Sequence, residues 1–279
     1  MKTKFVLVAA FLLTQSAFSQ SHPKPASMPR AAQSQTAAKY DLAPFDDSAK
    51  QLKPSYRGHD LFEVMKKIKL PPTKGEFEKT EEFEARLAKW QSSTIVGTVT
   101  YADLLAFELV QGLSPDSLKV EYDADAEEFK VKVNFENHTF SSNRERWLET
   151  FYTSKNLGSR NAVTRMGIKF RVTSHTGTSV GIAIPQSVEA IEIKVKGSRD
   201  QAIAMKSAIR AFAVVKLFEP YKILENTSST ASLDSPDEWY NAYLGVSATL
   251  ESLIIVDIRS GEILSRINAP FPTCSYNIC

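Results

Sequence analysis

From Thr94 onward the chain alternates apolar and polar residues one by one, and that period of two dictates strands with one buried face. Leu118, Val120 and Tyr122 alternate with Lys119 and Glu121; Phe129, Val131, Val133 and Phe135 alternate with Lys130, Lys132 and Asn134. The acidic link 123–128 between them predicts a hairpin. The pattern returns in Ile168-Lys169-Phe170-Arg171-Val172, turns through His175-Thr176-Gly177-Thr178, and resumes in Val180-Gly181-Ile182-Ala183-Ile184 before Pro185. Ile191 to Val195 forms another strand, and Phe212 to Phe218 reads as one closed by Pro220. Glu225 to Glu238 reads as a long polar loop. Tyr243 to Val256 carries one or two strands, and Arg259-Ser260-Gly261-Glu262 turns the chain into Ile263-Leu264. Successive strands on short turns, with no internal repeat, predict an α+β fold: a mostly antiparallel sheet with a few flanking helices.

The helices carry their own signals. Asp60 is placed to cap a short helix with Leu61, Phe62, Val64, Met65 and Ile68 around one face, stopped by Pro71-Pro72. In the next helix Phe83, Leu87 and Trp90 recur at i, i+4 and i+7, a stripe expected to dock on a sheet. Thr80 reads as its cap, Glu81 and Glu82 sit at its positive end, and Glu82 and Arg86 have the spacing of an ion pair. Ser198 caps a third helix through Ala202, Met205 and Ile209.

The N-terminus reads differently. Lys2 and Lys4 precede the apolar run Phe5 to Leu13, and Ala17-Phe18-Ser19 places small residues at the first and third positions of a cleavage site. This is the pattern of a secretory signal peptide over residues 1–19, cleaved before Gln20, which implies a periplasmic or secreted protein. A short amphipathic or buried helix is the competing interpretation, but the run is apolar on every side and sits at the extreme N-terminus. Residues 20–56 are rich in Pro, Ser, Ala, Gln and Lys and read as a disordered tether. Residues 57–279 then form one globular domain, with two lobes meeting near 185 as a variant of that organisation.

Composition narrows the class. In 279 residues, 43% hydrophobic and 24% charged, a coiled-coil rod, a collagen and a chain disordered throughout are excluded. No apolar run reaches the roughly 20 residues of a spanning helix, so no transmembrane segment is expected. The first cysteine is Cys274, so no lipid anchor can follow residue 19. Cleavage removes Lys2 and Lys4 and no acid, taking the net charge from +2 to 0, so whole-molecule attraction to nucleic acid or to an anionic membrane has no support. In an oxidising compartment Cys274 and Cys279 suit a small disulfide loop; two free thiols or an intermolecular bridge are the alternatives.

Motifs of catalysis are weak. Gly177-Thr178-Ser179-Val180-Gly181 matches the nucleophile elbow of α/β-hydrolases, but no histidine follows His175, so that chain order fails and a glycine-assisted hairpin is the better interpretation. The acids at 123–128 lack the glycine and glutamate of a calcium loop and read as a solvated turn. His22, His59, His138 and His175 fall at no metal spacing, and neither phosphate-binding glycine motif occurs, so no cofactor, metal or catalytic residue is assigned.

One local charge asymmetry stands out. Arg144, Arg146, Lys155, Arg160, Arg165, Lys169 and Arg171 meet only Glu145 and Glu149, with Trp147, Phe151 and Tyr152 interleaved. Gathered by folding, these groups would bind an anionic envelope polymer, arginines on oxyanions and aromatics stacking. The alternative is an outer strand face guarded by charge against edge pairing.

Leu70-Pro71-Pro72 with Gly75-Glu76-Phe77-Glu78-Lys79-Thr80-Glu81-Glu82-Phe83-Glu84-Ala85-Arg86-Leu87, and the run from Gly167 to Pro185, resemble segments of uncharacterised exported proteins of Gram-negative bacteria. The resemblance covers about a third of the chain in pieces. It implies a periplasmic setting and carries no activity.

Three functions follow as expectations. A non-enzymatic protein that binds envelope proteins or an anionic polymer by contact predicts no buried cluster of titratable groups. A hydrolase of an envelope polymer predicts two carboxylates roughly 5–9 Å apart in a cleft. A structural subunit of an envelope assembly predicts an uncovered apolar edge or patch.

Overall fold

Local signals set the helices. In the computed structural model, which describes residues 40–110, 117–140 and 143–271, α1 spans Leu61–Lys67, and the Asp60 carboxylate accepts from the Phe62 and Glu63 amides as its cap. α2 spans Thr80–Gln91. Its cap is Lys79 rather than Thr80: the Lys79 amide donates to Glu82 Oε2 at 3.2 Å, so the glutamate closes the first turn on the residue before. Arg86 pairs with Glu78 at 2.6 Å instead of Glu82 and also donates to the Thr73 carbonyl. Phe83, Leu87 and Trp90 share a face as expected, yet none is fully buried. Trp90 holds the helix in place, stacked on Tyr101 at 4.0 Å and edge-on to Tyr221 at 4.9 Å.

The strands follow as β1 (Thr94–Val96), β2 (Val99–Thr100), β3 (Leu104–Leu109), β4 (Leu118–Asp123), β5 (Glu128–Asn134) and β6 (Glu136–Phe140). They continue with β7 (Asn143–Val163), β8 (Lys169–Ile184) and β9 (Ala190–Lys196). After α3 (Arg199–Met205), capped by Ser198, come β10 (Ile209–Ser229), β11 (Asp237–Asp257) and β12 (Glu262–Asn268). A seven-stranded sheet runs β3-β10-β11-β8-β7-β6, with β12 on β11; β4-β5-β9 make a three-stranded sheet and β1-β2 a small ribbon. Among the described residues every strand pairing is antiparallel except β8 with β11. This is the expected mostly antiparallel α+β architecture.

The strands are longer than their sequence patterns. No turn interrupts β8 at 175–178, because each residue there is matched on both sides, to β7 and to β11. β10 runs past Pro220 with a shift in register and continues to Ser229, so the loop expected at 225–238 shrinks to 230–236.

Two apolar layers and one small cluster hold these sheets. The main core lies between one face of the large sheet, with Val180, Ile182, Ala213, Val215 and Val246, and the three-stranded sheet, with Phe129, Val131, Ile191 and Ile193. Pro185 falls where the chain leaves the large sheet for the small one. All described residues nevertheless belong to one unit. On the reverse face, Ala106, Phe212, Val214, Ile254 and Val256 are covered by Phe45 and Tyr56. Residues 40–56, expected within the tether, are therefore part of the body. The Phe45 amide donates to the Leu104 carbonyl, and Gln51 bridges Glu262. The physical reason is the need to cover strands that are apolar on both faces. Residues 1–39, and with them the expected signal peptide, lie outside the described residues, as do Cys274 and Cys279 with their proposed bond.

Candidate functional site

Strand registers bring one set of chemically active side chains together on the reverse face of the large sheet. Alternation puts Glu145, Trp147 and Glu149 of β7 on that face. Across the sheet, Gly181 faces Glu149 and Gly245, while Ser179 faces Tyr152 and Tyr243, which in turn faces Glu225 of β10. β6 adds Glu136 opposite Trp147 and His138 opposite Glu145. The sheet curls about this face: the His138 ring of β6 reaches to 4.1 Å from that of Tyr243, although β7 and β8 separate their strands.

Trp147, fully buried, is the pivot of the curl. Glycines pave the floor under its indole. A Cβ on Gly181 would lie 2.9 Å from the Trp147 ring and 2.4 Å from the Leu148 carbonyl oxygen; one on Gly245 would lie 2.7 Å from the ring and 2.1 Å from the Gly181 carbonyl oxygen. The indole Nε1 donates to Ser179 Oγ at 2.8 Å, and Ser179 donates to Glu149 Oε2 at 2.7 Å. Tyr243 meets the indole edge to face at 5.8 Å. The glycines and serine of the G-x-S-x-G match thus serve neither a nucleophile elbow nor a hairpin turn. Gly181 gives the indole room, and Ser179 relays its hydrogen bond to a carboxyl.

Burial governs the titration of this cluster. It pushes Glu149 above the ordinary carboxyl value; the Ser179 hydrogen bond opposes, and the charge of Glu136 adds to the rise. Glu145 is raised by burial and then by the neighbouring charge of Glu225. His138 is lowered by burial, against the pull of Glu225. Glu149 Oε1, Glu145 Oε2 and Asn241 Oδ1 are buried and accept no hydrogen bond among the described residues. Carboxyls held this way retain their protons to higher pH, so they can donate hydrogen bonds or protons. The absence of a buried titratable cluster, expected of a contact protein, is not what the structure has. Linear sequence hid the cluster because its members come from β6, β7, β10 and β11.

The cationic residues singled out from sequence do not converge. Arg144 lies in β7, with its side chain outside the described residues. Arg146 faces the main core beside Ile184 and meets Glu189 at 3.4 Å. Trp147 is buried and presents no ring for stacking. Arg160 lies on the face of Ser174 and Glu238, and Glu238 accepts from both, from Arg160 at 2.9 Å. Lys155 shares that face by register, whereas Lys169 and Arg171 lie on the opposite one, and Arg165 sits in the turn between β7 and β8. Lys155, Arg165, Lys169 and Arg171 are exposed and form no ion pair among the described residues.

No helix among the described residues is long and apolar enough to cross a membrane, and none of their His, Cys, Asp and Glu groups is arranged to hold a metal ion. Fold and site together define an α+β protein with a curled, mostly antiparallel sheet whose reverse face encloses a tryptophan and several carboxyls. No family model, curated protein or solved structure matches the chain.

Proposed function

We propose that this is an exported protein of the Gram-negative periplasm or cell envelope that works by contact, without turnover. The observation that carries this reading is the β7–β8 hairpin. Between Glu149 and Glu189 the chain has no acid, while Lys155, Arg160, Arg165, Lys169 and Arg171 all fall within it. The neighbouring β10–β11 hairpin carries the opposite sign, with Asp234 and Asp237 exposed near its tip, Glu225 and Glu238 less accessible behind them, and no Lys or Arg between Lys222 and Arg259. Two adjacent hairpins of opposite charge give a partner both attraction and orientation. The buried acids fit this function as a structural device, since Trp147, Ser179 and Glu149 form one hydrogen-bonded chain that braces the curl.

The partners are envelope proteins or an anionic envelope polymer. Co-purification through a C-terminal tag from a periplasmic extract tests this. A stable partner lost on Arg165→Glu with Lys169→Glu is expected, and a partner-free monomer that cleaves muropeptides would overturn it.

A hydrolase with a carboxylate pair is the second reading, favoured by one observation: Glu145 and Glu225 lie near enough for the charge of one to hold the proton on the other. Glu145 and Glu149 cannot be that pair, since four residues along a strand separate them by about 13 Å. Turnover abolished by Glu145→Gln would establish the hydrolase; the contact function predicts no turnover in either protein.

A further inference from the structure

The tip of the β7–β8 hairpin has a property that charge protection of an edge does not explain. Lysines and arginines keep an edge strand from pairing with other chains, and β7 beyond Trp147 is such an edge among the described pairings. That purpose calls for no exposed apolar side chains. Here Met166 is 84% exposed, Val163 59%, Leu157 55% and Ile168 46%. Three of the four cluster at the turn.

The turn itself is well defined. The Gly167 amide donates to the Thr164 carbonyl at 3.0 Å, the Thr164 amide to the Ile168 carbonyl at 2.9 Å, and the Ile168 amide to Thr164 Oγ1 at 3.1 Å. Gly167 takes φ +82°, a conformation that suits glycine. Arg165 and Met166 thereby occupy the two corners of the turn, with Val163 opposite Lys169 and Asn161 opposite Arg171 on one face behind them. The last rungs, from Arg160–Val172 to Val163–Lys169, have no third strand, because β11 joins β8 only from Thr173. A two-stranded ribbon of this kind is marginal in water without something to cover it.

We propose that this tip, residues 163–169, docks on an anionic lipid surface, with Met166, Val163 and Ile168 entering the headgroup region and Arg165, Lys169 and Arg171 meeting lipid phosphates. The assignment rests on the contact function above and adds to its protein or polymer partners the lipid surface of the envelope. Charge complementarity selects an anionic partner, and the exposed apolar corner selects a bilayer over a soluble polyanion, which offers no apolar layer to receive Met166. The acidic tip of β10–β11 sets the orientation, since it is repelled by the same surface.

The test is sedimentation of the chain lacking residues 1–19 with vesicles of phosphatidylglycerol and phosphatidylcholine, against vesicles of phosphatidylcholine alone. Binding to the anionic vesicles only, weakening with salt, is expected. Arg165→Gln and Lys169→Gln should each weaken it by about fivefold, the effect of one cation near a charged surface. Met166→Asp should abolish it, while Lys206→Glu, at the C-cap of α3, leaves it unchanged. Met166→Trp gives an independent readout, a blue shift of tryptophan emission with anionic vesicles. Equal binding to both vesicle types, anionic binding that survives Met166→Asp, or no vesicle binding would each overturn the proposal. So would association of the tip with dextran sulfate that ignores Met166, or with a second copy of the chain in sedimentation velocity. If a periplasmic partner co-purifies with the unsubstituted chain while that same chain fails to bind anionic vesicles, the contact function stands and the lipid partner falls.

Discussion

Gly181 and Gly245 are the residues on which the curl depends. Their missing side chains let β7, β8 and β11 close around Trp147, and the obstacles a Cβ would meet include backbone carbonyls that cannot rotate away. Gly181→Ala or Gly245→Ala should cost about 3 kcal/mol, as overpacking of a filled interior does, measurable by denaturant titration. Ser179 acts in the same neighbourhood as donor and acceptor at once. Ser179→Ala leaves the buried indole N–H and the Glu149 carboxyl short of partners and should cost about 1–3 kcal/mol. Glu149 gives the site a pH dependence of definite sign. Its folded-state pKa is raised from 4.5, mainly by burial, so the folded protein holds this proton more tightly than the unfolded chain. The resulting stabilisation is complete below the unfolded value and is lost as pH rises through the folded one. The melting temperature should therefore decline from mildly acidic toward neutral pH. Glu149→Gln, which keeps an uncharged group beside Ser179, should flatten that decline; an unchanged slope would locate the effect at another group.

Among the elements, the segment 40–56 and α2 behave in opposite ways. The segment has no periodic apolar pattern, yet Phe45 and Tyr56 close over Phe212, Val214, Ile254 and Val256. The signal for such a cover lies in the strands it protects: Ala211 to Val215 and Leu253 to Val256 are continuous apolar runs, which need burial on both faces. Phe45→Ala should cost about 3 kcal/mol and expose a surface that binds a hydrophobic dye. The stripe of α2, by contrast, is plain in sequence but only half-buried, and the helix hangs on the ring of Trp90 between Tyr101 and Tyr221. Trp90→Ala should strip hydrogen-exchange protection from residues 80–91 while the amides of β10 and β11 remain protected. Loss of protection throughout would mean that α2 is integral to the core.

For the whole molecule, the parallel pairing of β8 with β11 is the decisive step. It ties strands separated in sequence by β9, α3 and β10 and places the two long hairpins side by side, one basic and one acidic. The export expected from residues 1–19 is independent of that arrangement. Intact-mass measurement of the protein from its native host should show loss of the first 19 residues, and a full-length mass would remove the periplasmic setting.

The residues by themselves determined whatever depends on neighbours a few positions apart: the caps at Asp60 and Ser198, the hairpin from Leu118 to Asn134, the turn at 259–262 and the antiparallel character of the sheet. Each rests on a hydrogen bond or an alternation that closes within a short stretch of chain. Only the tertiary structure decided how far β8, β10 and β11 run, that Phe45 and Tyr56 belong to the body, and that Glu145, Glu149, Glu225 and His138 gather around Trp147. Those outcomes follow from the pairing of distant strands and from the curl that two glycines permit. The cationic residues show both sides of the division. Their one-sided charge is legible along the chain, but their separation onto two faces and a turn follows from the register of β7 on β8.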